Sequence, residues 1–231
     1  MISPNTSRDF LESQRRELRD LPYVEVAGIT KGPESVECFY DDVLAAPHIV
    51  ELAEQAERDR FDAVVISCFF DPGLKAAREA VSIPVTSAGE SSLHMACSLG
   101  ERIGIVTTVS NSIPVIHHQV KGLGLESHLA TVRATSLGVL DLDGGEKTVN
   151  ALFKESLSAI KEDKADVIVL GCTGMAEAAA ALQDKIRAAN IDVPVVDPLR
   201  AAIQWAEALV KMKLRHSRIG YSRPPSKTRT T

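Results

Sequence analysis

Two segments of this chain repeat one pattern, a run of β-branched and aliphatic residues that ends on a cysteine. The first reads Asp62-Ala-Val-Val-Ile-Ser-Cys68-Phe69-Phe70-Asp71-Pro72-Gly73 and the second Asp166-Val-Ile-Val-Leu-Gly-Cys172-Thr173-Gly174-Met175. In both, the thiol lies six positions after an aspartate, and an Ala-rich helical stretch follows. Next comes an apolar run holding a proline (Ile83-Pro84-Val85 and Val193-Pro194-Val195), then an amphipathic helix. Two units of roughly 45 residues are too few for a solenoid, which needs about three, so the pattern reads as a duplicated half. Alternating strands and helices demand a mostly parallel sheet in each half. Sheets of that kind bind ligands beyond the carboxyl ends of their strands, where both thiols are expected.

The expected fold class is therefore α/β, with two pseudo-symmetric lobes, each a mostly parallel sheet flanked by helices, and the active site in the cleft between them. At 231 residues the chain divides into lobes of the usual domain size: 1–100, 101–197, and a C-terminal helix with a basic tail, 198–231, placed back on the first lobe. A net charge of -5 argues against nucleic-acid binding over the body of the protein. The tail is the exception, with seven Lys or Arg from Lys211 onward and no acidic residue; it reads as a solvated extension or one laid against an acidic neighbouring subunit. No apolar run reaches the length of about 18 residues that a membrane span needs, and the N-terminus lacks a signal-peptide core, so a cytoplasmic protein without a membrane partner is expected. Four cysteines without a C-x-x-C pair suit free thiols rather than a disulfide scaffold or a zinc ribbon.

Along the chain, Ser7 or Thr6 is placed to cap a helix over 8–20, and only a stub of a first strand fits before Asn5 unless the start falls inside that strand. A strand is predicted over 23–29, a long loop through Tyr40, and a helix over 47–60. Asp71 and Pro72 read as the cap and first residue of a short helix over 74–80. The second half is predicted to start with a strand over 102–108 that ends in two hydroxyls, Thr107 and Thr108.

A cysteine near a helix N-terminus feels the positive end of the helix dipole, so both thiols are expected to titrate closer to neutrality than a free cysteine. A lone cysteine ending a strand is more often a buried small hydrophobe; two at equivalent positions of a repeat favour chemistry. Facing each other across a cleft, Cys68 and Cys172 would invert a carbon acid, one removing a proton from one face and the other returning one to the opposite face. The enolate formed needs preorganised donors, available from backbone N–H groups after each cysteine and from Asn5, Thr108 and Thr173. Thr6, Phe69 and Gly174 complete the candidate substrate-binding set. Cys38, Cys97 and His94 lack partners of this kind, and Asp71 and Glu90 are explained by helix capping and first-turn positions. Dinucleotide, NTP, serine-hydrolase and metal motifs do not occur, and the chemistry calls for no cofactor and no metal.

The motifs Ser3-Pro4-Asn5-Thr6-Ser7, Cys68-Phe69-Phe70-Asp71-Pro72-Gly73-Leu74, the strand 103–108, and Leu170-Gly171-Cys172-Thr173-Gly174-Met175-Ala176 together resemble the aspartate/glutamate racemase superfamily, most closely its hydantoin racemase branch. The resemblance runs to about Lys213. It implies a cofactor-independent racemase of 5-substituted hydantoins or allantoin, with Cys68 and Cys172 as acid and base, a small-molecule substrate and a homo-oligomer. Gly174 stands where glutamate racemases carry histidine, which disfavours amino-acid racemisation. Phe70 stands where relatives have a small or acidic residue. The rival readings are cysteine-dependent cis-trans isomerisation of a dicarboxylate, amino-acid racemisation, and a non-catalytic small-molecule binding protein with the same cleft.

Overall fold

The structure is a computed structural model that describes residues 1–228. It contains two four-stranded, all-parallel sheets with the same strand order. The first half runs β1 (Ile2–Ser3), α1 (Arg8–Glu17), β2 (Ala27–Gly28), α2 (Phe39–Arg58), β3 (Val64–Ile66), α3 (Leu74–Ala80), β4 (Val85–Ser87) and α4 (Ala88–Ala96). The second runs β5 (Ile103–Thr107), α5 (Ser112–Gly122), β6 (Leu129–Ala134), α6 (Glu146–Lys161), β7 (Val167–Leu170), α7 (Ala176–Ala188), β8 (Val195–Val196) and α8 (Pro198–Lys211). The sheets are ordered β2-β1-β3-β4 and β6-β5-β7-β8, which is the α/β fold expected from the repeat.

The duplication extends to individual hydrogen bonds. Ser67 N–H donates to Ile2 O (2.8 Å) and Gly171 N–H to Val106 O (2.7 Å), so the residue before each cysteine is pinned to the central strand of its own sheet. Val64 N–H donates to Pro84 O (2.8 Å) and Ile168 N–H to Pro194 O (2.9 Å). Each proline thus stands just before an edge strand, where its missing N–H breaks no ladder. β1 is the short strand that the sequence allowed. It is held on both sides, by Ala27 N–H on Met1 O and Ile29 N–H on Ser3 O from β2, and by the Ser67 N–H bond from β3.

The lobes exchange their last helices. α4 follows the first sheet but packs Leu93 and Ala96 into a core with Ile105, Val167 and Val169 of the second. α8 follows the second sheet but packs Leu199, Ala202 and Ile203 against Val65 of the first. Separating the lobes would expose both cores, and each buried leucine or isoleucine contributes on the order of 1.5–3 kcal/mol.

Several boundaries differ from expectation. The strand over 23–29 shrinks to two residues because Val24 and Val26 turn to pack against the α8 cluster. α2 begins at Phe39, with Asp41 and Asp42 in its first turn, and carries Pro47 inside it. The carbonyl that this proline leaves unbonded belongs to Val43, whose residue is 67% exposed, so water can serve it. Asp71 does not cap α3, which starts after the left-handed Gly73. Its carboxylate instead accepts from Gly89 and Glu90 N–H, both 2.9 Å, at the start of α4. The described part of the tail lies on its own first lobe: His216 Nε2 accepts from Val85 N–H of the edge strand (2.8 Å), and Arg218 donates to the carbonyls of Arg78, Glu79 and Val81 at the end of α3. Arg229 to Thr231 lie outside the described residues.

α4 starts hard against the first cysteine turn. A Cβ at Gly89 would stand 1.9 Å from Phe69 O and 2.1 Å from Gln119 Nε2. Gly89→Ala must therefore move backbone, and overpacking of this kind costs about 1–3 kcal/mol, or roughly 2–12 °C of Tm for a chain of this size. Calorimetry checks it; a Tm within a degree of the parent would show that the turn yields freely.

Candidate active site

One cleft receives a residue from nearly every turn at the carboxyl ends of the central strands. Pro4 and Asn5 follow β1, Ser67 to Phe70 follow β3, Thr108 follows β5, and Gly171 to Thr173 follow β7. Phe10, Val36, Ser112 and Val139 close its sides around a narrow space of about 20 Å³. Cys68 is 8% exposed and Cys172 partly exposed, and both line this space.

Of the residues expected at the site, Asn5, Cys68, Phe69, Thr108, Cys172 and Thr173 come together here. Thr6 and Gly174 do not line the cleft. Thr6 directs both its N–H and its hydroxyl to Pro33 O (2.9 and 3.3 Å), anchoring the loop before α2. Gly174 lies behind Cys172, gives its N–H to the sulfur (3.4 Å), and has Phe10 and Leu142 close to where a Cβ would go. Phe10, Val36, Ser67, Ser112 and Val139 were not anticipated. Val36 comes from a loop and Val139 from a three-residue 3-10 turn, so neither leaves a periodic signal, while Ser67 ends the run before Cys68 and Ser112 opens α5.

The polar groups differ in what they still have to offer. Asn5 is 4% exposed, and its Oδ1 has no hydrogen-bond partner among the described residues. A buried acceptor left unpaired is costly, so this oxygen is suited to an N–H of a bound molecule. Thr108 Oγ1 lies 3.4 Å from Ser112 Oγ. The Thr173 hydroxyl donates to Ser67 O across the lobe boundary (3.2 Å), so its single proton is already engaged.

Electrostatics overturn the expectation of acidified thiols. Burial pushes the Cys172 thiol up to about 12, the Gly174 N–H opposing this and the Glu37 charge adding to it. Burial also pushes Cys68 well above its ordinary value, opposed by the Phe70 N–H and reinforced by the charges of Cys172, Asp42 and Asp71. The helix dipoles lose because α3 begins at Leu74, well past Cys68, and only the short 3-10 turn Thr173–Met175 directly follows Cys172. The walls around both sulfurs are largely apolar. At neutral pH the resting site holds two thiols, and because each sulfur's charge opposes the other's, it accommodates one thiolate at a time.

The neighbouring carboxyls are structural. Asp71, pushed up to about 7 by burial, accepts from Gln119 Nε2 (2.6 Å) as well as from the start of α4. Glu90 pairs with Arg78 at 2.6 Å. Among the described residues no cluster of His, Cys, Asp or Glu could hold a metal ion, and no helix is long and apolar enough to cross a membrane.

Comparison with known proteins gives this cleft a context. The Asp/Glu/Hydantoin racemase family matches residues 1–206. A hydantoin racemase of Pseudomonas sp. (strain NS671) is 32% identical over 98% of this chain and 91% of its own length. One from Rhizobium meliloti is 35% identical over 91% of this chain and 87% of its own. The solved allantoin racemase from Klebsiella pneumoniae superposes with a TM-score of 0.91 at 33% identity, covering 100% of this chain and 94% of that one.

The raised thiols set a reactivity profile. Alkylation of Cys68 and Cys172 by iodoacetamide, followed by peptide mass spectrometry, should accelerate about tenfold per pH unit from pH 7 to 9, because only the thiolate reacts and its fraction climbs throughout this range. A plateau below about pH 8.5 at either residue would show a thiol acidified rather than suppressed.

Proposed function

The chain belongs to the Asp/Glu/hydantoin racemase family, and we propose that within it the protein racemises 5-substituted hydantoins or the related ureide allantoin, with Cys68 and Cys172 as the two proton-transfer groups. Racemase activity, and hence the isomerase class, comes with the family and its hydantoin and allantoin racemase relatives. The substrate and the two-thiol path are our reading. One observation carries it: two thiols on pseudo-equivalent turns of separate sheets line a single cleft.

The ring lies between the lobes with its stereogenic C5 between the sulfurs. One cysteine, as thiolate, takes the C5 proton. The C5–H bonding pair delocalises into the adjacent ring carbonyl as an enolate, and the opposite thiol protonates C5 from its own side. The product has the inverted centre, and the site is left with thiol and thiolate exchanged. Asn5 Oδ1 accepts a ring N–H, and the Thr108 hydroxyl together with backbone N–H groups at the cysteine turns faces the developing oxyanion. Burial suppresses both thiolates, and the charges of Asp42 and Asp71 add to this at Cys68 as that of Glu37 does at Cys172. The protein acts on its small-molecule substrate as a homo-oligomer, as the family resemblance implies.

The test is proton-deuteron exchange in D₂O, followed by NMR and polarimetry on a panel of chiral hydantoins, allantoin, glutamate and aspartate. Expected are C5 deuteration and loss of optical activity with the hydantoins or allantoin, without a covalent adduct. Cys68→Ser and Cys172→Ser should each lower kcat by about 10²–10⁴-fold, the usual contribution of a positioned acid or base. Turnover of the amino acids alone, or full activity in either variant, would overturn the reading.

A further inference from the structure

α1 buries a stripe made of Phe10, Gln14 and Leu18, spaced four residues apart. The outer two are apolar. The middle one is an amide only 2% exposed, in a position where leucine or methionine would fill the space without bringing polar atoms. Its Nε2 lies 2.5 Å from Ser67 Oγ and 3.4 Å from Thr173 Oγ1. Its Oε1 is buried without a hydrogen-bond partner among the described residues. A half-satisfied buried amide is a poor device for stability, so its account lies in what it holds.

What it holds is the residue before Cys68 and the residue after Cys172. Those two also bond directly, Thr173 Oγ1 to Ser67 O at 3.2 Å. One side chain from the first helix thus ties together the two turns that present the sulfurs from different sheets.

We infer that Gln14 is a positioning residue, which sets the separation and aim of Cys68 and Cys172 through Ser67 and Thr173; the inference rests on the two-thiol reading above. A carbon acid is inverted only when both sulfurs reach the same carbon from opposite sides, and displacement by about 1 Å can lower a rate 10²-fold. Gln14 does not line the cleft, so its loss changes how the sulfurs stand and not what the substrate touches.

Gln14→Met keeps length and volume and removes the amide. On the best hydantoin or allantoin substrate, kcat should fall about 10–100-fold in both directions, with KM within about threefold and Tm at or above that of the parent. The loss should not add to that of Thr173→Val: the double variant should be no slower than the slower single one. If Gln14→Met gives no folded protein, Gln14→Leu makes the same test, since it too removes the amide at similar volume. Unchanged kcat in the amide-free variant, a change in KM alone, or additive losses would overturn the inference. Cys68→Ser and Cys172→Ser in the same assay separate the failures. If either retains kcat, the two-thiol reading falls; if both lose it while Gln14→Met stays fast, only the role of Gln14 falls.

Discussion

The hydrogen bond from the Thr173 hydroxyl to the Ser67 carbonyl spans the two lobes within one residue of each cysteine. Neither sheet by itself makes a site. Each delivers one sulfur to the end of one strand, and the relation between the sulfurs depends on what fixes one sheet against the other. At long range that is the exchange of α4 and α8, whose apolar faces are buried on the opposite sheets. Hydrophobic burial is strong but not directional, so it brings the lobes together without specifying their last ångström. Hydrogen bonds with defined geometry do that, and they lie beside the thiols.

The same contacts dry the site. With Phe10, Val36, Phe69 and Val139 around the cleft, the sulfurs lose the hydration that would stabilise their charge, and both thiols are pushed upward. Desolvation that suppresses the resting thiolate also raises its basicity once formed. For removing a proton from carbon a stronger base is an advantage, whereas a thiol acidified by a helix dipole would be plentiful but weak. Brønsted behaviour sets these against each other, and this fold sits on the basic side.

Much of the architecture was legible because the repeat is a packing constraint written twice. Strand 64–66 and strand 167–170, each ending near a cysteine and each followed by a proline-led edge strand, imposed the sheet order on both halves. The thiols could be found because a small nucleophile at equivalent ends of two strands is improbable as coincidence. What escaped was set by partners distant in sequence. Asp71 precedes a helix and yet caps another, Pro47 sits in a helix whose exposed face tolerates it, and Thr6 ties down a loop. The direction of the thiol shifts escaped because sequence shows the adjacent helix but not the apolar walls. Gln14 left a usable trace: an amide midway along the apolar i, i+4 stripe of α1, where a core position would ordinarily hold a hydrocarbon.

Mutual repulsion between the sulfurs has a consequence for direction. On the two-thiol reading, a site that tolerates only one negative sulfur has two working forms, and each turnover converts one into the other as the proton crosses the substrate. The form left by one enantiomer is the form required by its mirror image. If the two sulfurs were equivalent the forms would be equally populated, but Cys68 faces the charges of Asp42 and Asp71 and Cys172 that of Glu37. The imbalance cannot shift the equilibrium between enantiomers, which their equal free energies fix. It divides the same total barrier differently between binding and proton transfer for the two hands, so kcat and KM differ between enantiomers while their ratios stay equal.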